Sequence, residues 1–249
     1  MADRPKVDGE YTRREVWPRR GDEGYLPPGQ RISEAMPRFG MRPGLLAPPI
    51  PDHPILTIAG DVAEKTILDL ELLSTVDRVD VTADFHCVTT WSVRDLRWGG
   101  WRLRDVWEQL IVPNAQPVGG ATHLRAISSD RYSAALPIED ALADDVLIAD
   151  RLEGRPLTPF HGAPLRLVTP AHFAYKSVKH LAALTVHTSA PKASGGSMQH
   201  PRGRVEHEER HGRIPGRLLR WPYRLLVVPT AMRAQRASGN ASRSLGATS

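Results

Sequence analysis

The chain has 249 residues and a mass of 27.6 kDa, with 41% hydrophobic and 24% charged residues. That is enough for a sizeable core and is unlike a disordered chain. A single cysteine, Cys87, excludes an intrachain disulfide framework, a cysteine-rich zinc module and an iron–sulfur site built by this chain alone.

The net charge of +5 is unevenly placed. From Arg202 onward ten Arg and three Glu give +7, and the first 201 residues sum to −2. The basic character belongs to the C-terminal stretch, so composition gives no reason to read the body as a nucleic-acid binder.

In chain order, residues 1–54 read as an arm rich in Pro, Gly and Arg. Pro27-Pro28, Pro43-Gly44 and Pro48-Pro49-Ile50-Pro51 oppose helix. Arg13-Arg14 and Arg19-Arg20 look like a twin-arginine signal, but no apolar stretch follows; Gly21-Asp22-Glu23-Gly24 comes instead. Strands are expected at 55–60, at 78–83 by period-two alternation, and at 123–128, 146–149, 165–168 and 181–186. Residues 67–73 suit a short strand or a helical turn. Trp98-Gly99-Gly100-Trp101 reads as a turn, and Leu103, Val106, Trp107, Leu110 and Ile111 follow at helical spacing. Pro137 to Leu142 reads as a helix start with early acids. Ser194-Gly195-Gly196-Ser197 reads as a flexible linker.

Short strands with few, short helices predict a β-rich α+β domain. The expected division is an arm at 1–54, a domain at 55–190, and a linker with a basic tail at 191–249. The longest apolar run near the C-terminus, Leu225 to Pro229, is far below the roughly 20 residues a crossing helix needs. The expected location is cytoplasmic, with peripheral contact at the inner face of a membrane through the tail.

Two segments carry chemistry. Cys87 ends a strand in Asp84-Phe85-His86-Cys87-Val88-Thr89-Thr90-Trp91-Ser92. An isolated cysteine can be a small buried hydrophobe, a nucleophile or a soft-metal ligand. Neighbours on a strand point to opposite faces, so His86 is badly placed to activate it. The second segment runs from His161-Gly162-Ala163-Pro164-Leu165-Arg166 to Lys176-Ser177-Val178-Lys179. Two lysines three apart, a hydroxyl and a strand arginine form a set suited to a phosphate, or a solvated basic turn.

Taken together, Cys87-Val88-Thr89-Thr90-Trp91-Ser92, Trp98-Gly99-Gly100, Gly162-Ala163-Pro164-Leu165-Arg166-Leu167 and Lys176-Ser177-Val178-Lys179 resemble the molybdopterin-binding oxidoreductase domain of the sulfite oxidase family. The closer likeness is to the bacterial protein-methionine-sulfoxide reductase catalytic subunit branch. The likeness runs from about Ile55 to Val186.

The resemblance implies a Mo-molybdopterin cofactor. Its molybdenum would be bound by the Cys87 thiolate and the cofactor held by Ser128, His161, Arg166, Ser177, Val178 and Lys179. His161 stands where the family has Asn and Ser128 where it has Thr. The activity implied is oxygen-atom transfer on a sulfoxide or an oxyanion, reductase-like by preference, with Arg94, Arg125 or Arg131 as sources of charge. Electrons would pass through a separate partner, with a membrane haem protein among the candidates.

Two competing motifs lie in the basic stretch. His207-Glu208-Glu209-Arg210-His211 spells the zinc-peptidase pattern, but charged spacers, Gly212 and Pro215 oppose the helix it needs. Residues 213–236 interleave Arg with Leu, Trp and Tyr. Such a stretch suits an anionic membrane, a redox partner or nucleic acid, or it packs back on the domain with its arginines snorkelling. Pro222 is expected to interrupt any single amphipathic helix there.

Overall fold

The structure, a computed structural model, describes residues 5–19, 25–37 and 47–246. Arg20, Gly21 to Gly24 and Pro43-Gly44 lie outside the described residues. The described elements, in chain order, are α1 Arg13–Val16, β1 Arg31–Ile32, β2 Ile55–Gly60, β3 Thr66–Asp69, α2 Leu70–Leu73, β4 Val79–His86 and β5 Trp91–Arg102. α3 Leu103–Val106 then runs through a π-helical turn, Trp107–Ile111, into α4 Val112–Ala115. There follow β6 His123–Ser128, β7 Ser133–Pro137, α5 Ile138–Ala141, β8 Leu147–Leu152, β9 Arg155–Pro156, β10 Arg166–Val168, β11 Leu181–His187 and the long α6 Gly216–Gly246.

Two sheets result. One has the order β1-β5-β8-β10, with β4 also on β5 and β9 on β8. The other has the order β3-β2-β11-β6-β7, in which β2 and β11 run parallel. Alternation decides which faces are buried. In the second sheet Leu56 and Ile58 of β2, Leu124 and Ala126 of β6, and Leu184 and Val186 of β11 point into one core. They meet Leu103, Val106, Leu110 and Ile111 of the helical stretch and Ile148 of β8 there.

The first sheet is buried on both faces. Leu147 and Ala149 of β8 turn the other way, into a second cluster with Phe85, Val93, Leu96 and Trp98. Cys87 lies in that second cluster, and Met36 of the arm and Val227 of α6 close it over.

Several expectations change. Trp98 to Trp101 is no turn; the strand β5 runs straight through it. The glycines are there for close approach. A Cβ at Gly100 would overlap the Ile148 carbonyl oxygen and stand 2.7 Å from Ala149 Cα. The β5–β8 register shifts between Gly99 and Gly100, so these residues form a bulge in the ladder. Residues 67–73 contain both alternatives, strand then helix, with Asp69 capping α2 through Leu72 N–H at 2.8 Å.

The arm and the basic stretch both pack on the body. Arg31 and Ile32 pair in parallel with Trp91 and Ser92. Ser194, expected in a flexible linker, is tied to Ser133 through main-chain and hydroxyl bonds. α6 continues through Pro222 and Pro229. Each proline removes one main-chain donor, but tertiary contact holds the helix. Val227 and Ala231 are fully buried, Ala231 against Tyr11, Val16 and Ala35. The Tyr11 hydroxyl donates to Ala231 O at 3.3 Å, and Gln235 and Tyr11 exchange two hydrogen bonds.

Replacing Gly100 by Val forces β5 and β8 apart and is expected to destabilise the fold by about 1–3 kcal/mol. Gly119→Ala, at a site with no atom within 4 Å of the added methyl, is expected to stay within about 1 kcal/mol of the parent. Thermal melts of the two variants side by side check this.

Candidate active site around Cys87

Cys87 sits at the tip of the β4–β5 hairpin. Its N–H donates to Trp91 O at 2.8 Å, and Thr90 N–H returns to Cys87 O at 3.1 Å, which closes a tight turn with Thr90 at a positive φ of 76°. Below the tip a polar chain fixes the strand ends. His86 Nδ1 meets Ser92 Oγ at 2.8 Å, Ser92 Oγ donates to Gln30 Oε1 at 3.0 Å, and Gln30 Nε2 donates to Cys87 O at 3.2 Å. His86 is thus engaged away from the cysteine, whose Sγ lies 3.2 Å from Thr89 Oγ1. Burial pushes the Cys87 thiol up, against the pull of Thr89, Arg210 and Lys179 towards the thiolate. Burial also lowers the pKa of His86.

The second segment is organised by Arg166. This side chain is fully buried, 4.8 Å above the Trp98 ring and 5.2 Å from that of Phe85. It donates through Nη1 to His161 O at 2.8 Å and through Nη2 to Ser177 O at 3.4 Å. Burial lowers its pKa to about 9, and its Nε has no hydrogen-bond partner. It therefore ties the His161 turn to the Ser177-Val178-Lys179 loop. Gly162, at φ 103°, presses on that loop; a Cβ there would stand 2.8 Å from Lys179 Cβ.

Lys179 donates to Phe160 O at 3.0 Å. His161 is buried, with Nδ1 3.1 Å from Thr158 Oγ1 and Nε2 without a partner. Burial, with Lys179 and Arg166 adding, pushes its pKa down to about 3, so the ring is neutral.

Cys87, His161, Arg166 and Lys179 thus share one electrostatic neighbourhood. The other expected residues turn elsewhere. Ser177 Oγ is occupied by Thr169, at 3.0 Å from its N–H and 3.1 Å from its hydroxyl. The Val178 side chain lies in the core between the sheets. Ser128 Oγ accepts from Asp130 N–H at 3.3 Å inside its own β-turn. Lys176 parts from Lys179 and donates to Ala135 O and Pro201 O, both at 2.6 Å. Of the three arginines expected to supply charge, Arg94 acts on His86, whereas Arg125 donates to Ser133 Oγ on the other sheet.

The basic stretch supplies what the motifs do not. Arg210, with no solvent-exposed side-chain area, donates to Val88 O at 2.7 Å and to Pro28 O at 3.1 Å, pairs with Glu208, and covers the Phe173 ring at 4.9 Å. One guanidinium joins the cysteine turn, the arm and the loop after β10. Burial lowers its pKa, and Glu208 works against that. The charges of Arg210 and Cys87 both act on the Tyr223 hydroxyl, whose pKa burial raises.

A family model described as "Oxidoreductase molybdopterin binding domain" matches residues 47–194. The chain belongs to this family. It is therefore an oxidoreductase whose cofactor is Mo-molybdopterin. Among its relatives, an "Uncharacterized oxidoreductase YuiH" of Bacillus subtilis is 31% identical over 163 residues, 64% of this chain and 77% of that protein. The sulfite oxidase of Arabidopsis thaliana is 30% identical over 184 residues, 61% of this chain and 46% of that protein. The solved sulfane dehydrogenase SoxCD of Paracoccus pantotrophus superposes with a TM-score of 0.49 at 20% identity, over 71% of this chain and 46% of that one.

The residues present fit such a cofactor. A thiol is the soft donor a thiophilic metal takes. Lys179 and Arg210 bring positive charge to it, and Arg166 adds its own at His161, a set suited to a phosphate and to sulfur anions. His161 Nε2 and Arg166 Nε are buried polar atoms without partners, as expected beside a ligand.

Gln30, Arg210 and Tyr223 were not singled out from sequence for this site. Gln30 stands in a Pro-Pro-Gly-Gln run, and Arg210 inside the apparent zinc pattern. That pattern forms no helix. Glu208 is held by Arg210 and Arg220, Glu209 by Arg204, and His211 Nδ1 accepts from Arg213 and Ile214 N–H groups. Among the described residues no group of three His, Cys, Asp or Glu side chains can hold a metal.

Arg210→Leu is expected to lower stability by about 3 kcal/mol, because Val88 O and Pro28 O lose their donor and Glu208 loses one partner. Urea midpoints of this variant and of Arg210→Lys, which recovers only part, measure it. Burial works to raise the pKa of Glu209, but hydrogen bonds from Arg204 outweigh it and hold the carboxyl down at about 2. A depressed acid stabilises the fold above its unfolded value, and that support is lost as pH falls through the folded one. Glu209→Gln is therefore expected to flatten the loss of stability between about pH 4.5 and 2, followed by melts across that range.

Proposed function

We propose that the chain catalyses oxygen-atom transfer at sulfur, reductase-like in direction, with electrons delivered by a separate redox partner. The carrying observation is the lone cysteine at the tip of a rigid hairpin turn, inside an apolar cluster, with Lys179 and Arg210 both favouring its thiolate. That is the position of a protein ligand to a metal whose remaining sulfur ligands come from elsewhere. When bound, the cofactor supplies the two-electron chemistry. The balance is one sulfoxide with two electrons and two protons giving one thioether and one water; the sulfur–oxygen bond breaks and the sulfur is reduced.

The protein's part is positioning and charge. Cys87 is the metal ligand, held by Trp91 O, Thr90 N–H and Gln30. Lys179 and His161 would hold the anionic parts of the cofactor. Arg166 acts through others: by bonding His161 O and Ser177 O it sets the distance between the two loops. Ser177 and Val178 shape the loop, since their side chains are committed elsewhere and their N–H groups donate to Ala174 O and Lys176 O. Ser128 supports the start of β11 opposite Leu181. Phe85, Trp91 and Trp98 keep bulk water from the cluster, which strengthens each charge interaction in it.

Protein produced in a host that makes the cofactor is expected to carry close to one molybdenum per chain, and Cys87→Ser to lose most of it while its melt stays near the parent's. Elemental analysis decides this; a metal-free parent, or full occupancy in the variant, rejects the assignment. Reduction of a sulfoxide with a dye donor, compared with oxidation of sulfite with a dye acceptor, then fixes the direction. Activity with sulfite alone would overturn the reductase reading.

A further inference from the structure

The outer face of α6 has no role in the site just described. Its inner face is fixed. Val227 and Ala231 are buried, Gln235 and the Tyr11 main chain exchange hydrogen bonds, and Arg220 pairs with Glu208. The helix therefore cannot roll, and its opposite face is held outward. That face is apolar. Leu218 is 62% exposed, Trp221 69%, Leu225 53% and Leu226 52%.

Positions 218, 221 and 225 follow the spacing of one helical face. A contiguous row of large apolar side chains is costly to leave in water. The charges on the helix itself have one sign. No Asp or Glu occurs after Glu209, while Arg213, Arg217, Arg220, Arg224, Arg233 and Arg236 all do. Beside the stripe a groove between the arm and the helix is lined by Arg31, Arg217, Arg220 and Arg224, with Leu218 and Trp221 at its lip. Among the described residues no helix is long and apolar enough to cross a membrane.

We propose that α6 is an in-plane membrane anchor, which lays Leu218, Trp221, Leu225 and Leu226 into the boundary of an anionic lipid surface while the exposed Arg213 and Arg217 take lipid phosphates. An apolar stripe alone would suit a second copy of the chain or another protein. The flanking arginines repel a second copy of the same face and match an anionic bilayer, since Glu208 beside Arg220 is already held by two guanidinium groups. A tryptophan at the centre suits the headgroup boundary, where its ring is apolar and its N–H is wet. Anchoring on this face would hold the Cys87 site, on the inner side of the same helix, close to the membrane plane.

The test is sedimentation of the full chain with vesicles. Vesicles of equal phosphatidylcholine and phosphatidylglycerol are expected to carry the protein down, and vesicles of phosphatidylcholine alone to leave it in solution. The double variant Trp221→Ser/Leu225→Ser, exposed at both positions, is expected to keep the parent's melt and monodispersity and to bind at least about tenfold more weakly. Raising the salt from 0.05 to about 0.5 M is expected to weaken the parent's binding strongly. Failure of the parent to sediment with anionic vesicles overturns the proposal, as does equal binding by the double variant. So does a parent dimer, seen by light scattering, that the double variant converts to monomer, since the face would then be covered by a second copy.

Discussion

A guanidinium with no access to water must find its acceptors inside the protein, and Arg210 finds them on three stretches of chain. Val88 O follows the cysteine, Pro28 O belongs to the arm, and the Glu208 carboxylate lies in its own turn. The desolvation of such a charge is large, and only good geometry and full hydrogen bonding offset it. The position of the hairpin tip, the course of the arm and the start of α6 follow from that requirement. Glu208 extends it by pairing with Arg220 as well, so the helix is drawn onto the same knot. Arg166 plays the matching part on the other side, where its donors fasten the His161 turn to the loop that carries Lys179.

These two arginines explain why the site is cationic without being an exposed basic patch. Most of their donors are engaged by main-chain carbonyls and one carboxylate, yet the charge of Arg210 still acts on Cys87 and that of Arg166 on His161. The same pattern holds for the rest of the basic stretch: Arg202 pairs with Asp140 and Glu139, and Arg204 with Glu209. A charge count made along the sequence sees ten arginines; the structure shows several of them neutralised in place.

Much of the fold was legible. Period-two alternation found β4, and β2, β6, β8, β10 and β11 were also expected as strands, because burial imposes apolar patterning directly. Trp98 to Trp101 misled, since glycine permits a turn and also permits two strands to come unusually close; only the position of Ile148 and Ala149 separates the two. Pro222 misled because a local rule was outweighed by distant contacts with Tyr11, Val16 and Ala35. In the site, Cys87, His161, Arg166 and Lys179 could be found because they stand in compact motifs. Arg210 and Gln30 could not, since their roles come from carbonyls 122 and 57 residues away.

Those separations bear on the order in which the molecule is completed. The parallel pairing of β2 with β11 joins residues 57–60 to 183–186, and Arg210 closes onto Val88 and Pro28 later still in the chain. Contacts of this range form late, after local hairpins such as β4–β5 are in place. During synthesis the cysteine turn therefore exists before the arginine that fastens it to the arm.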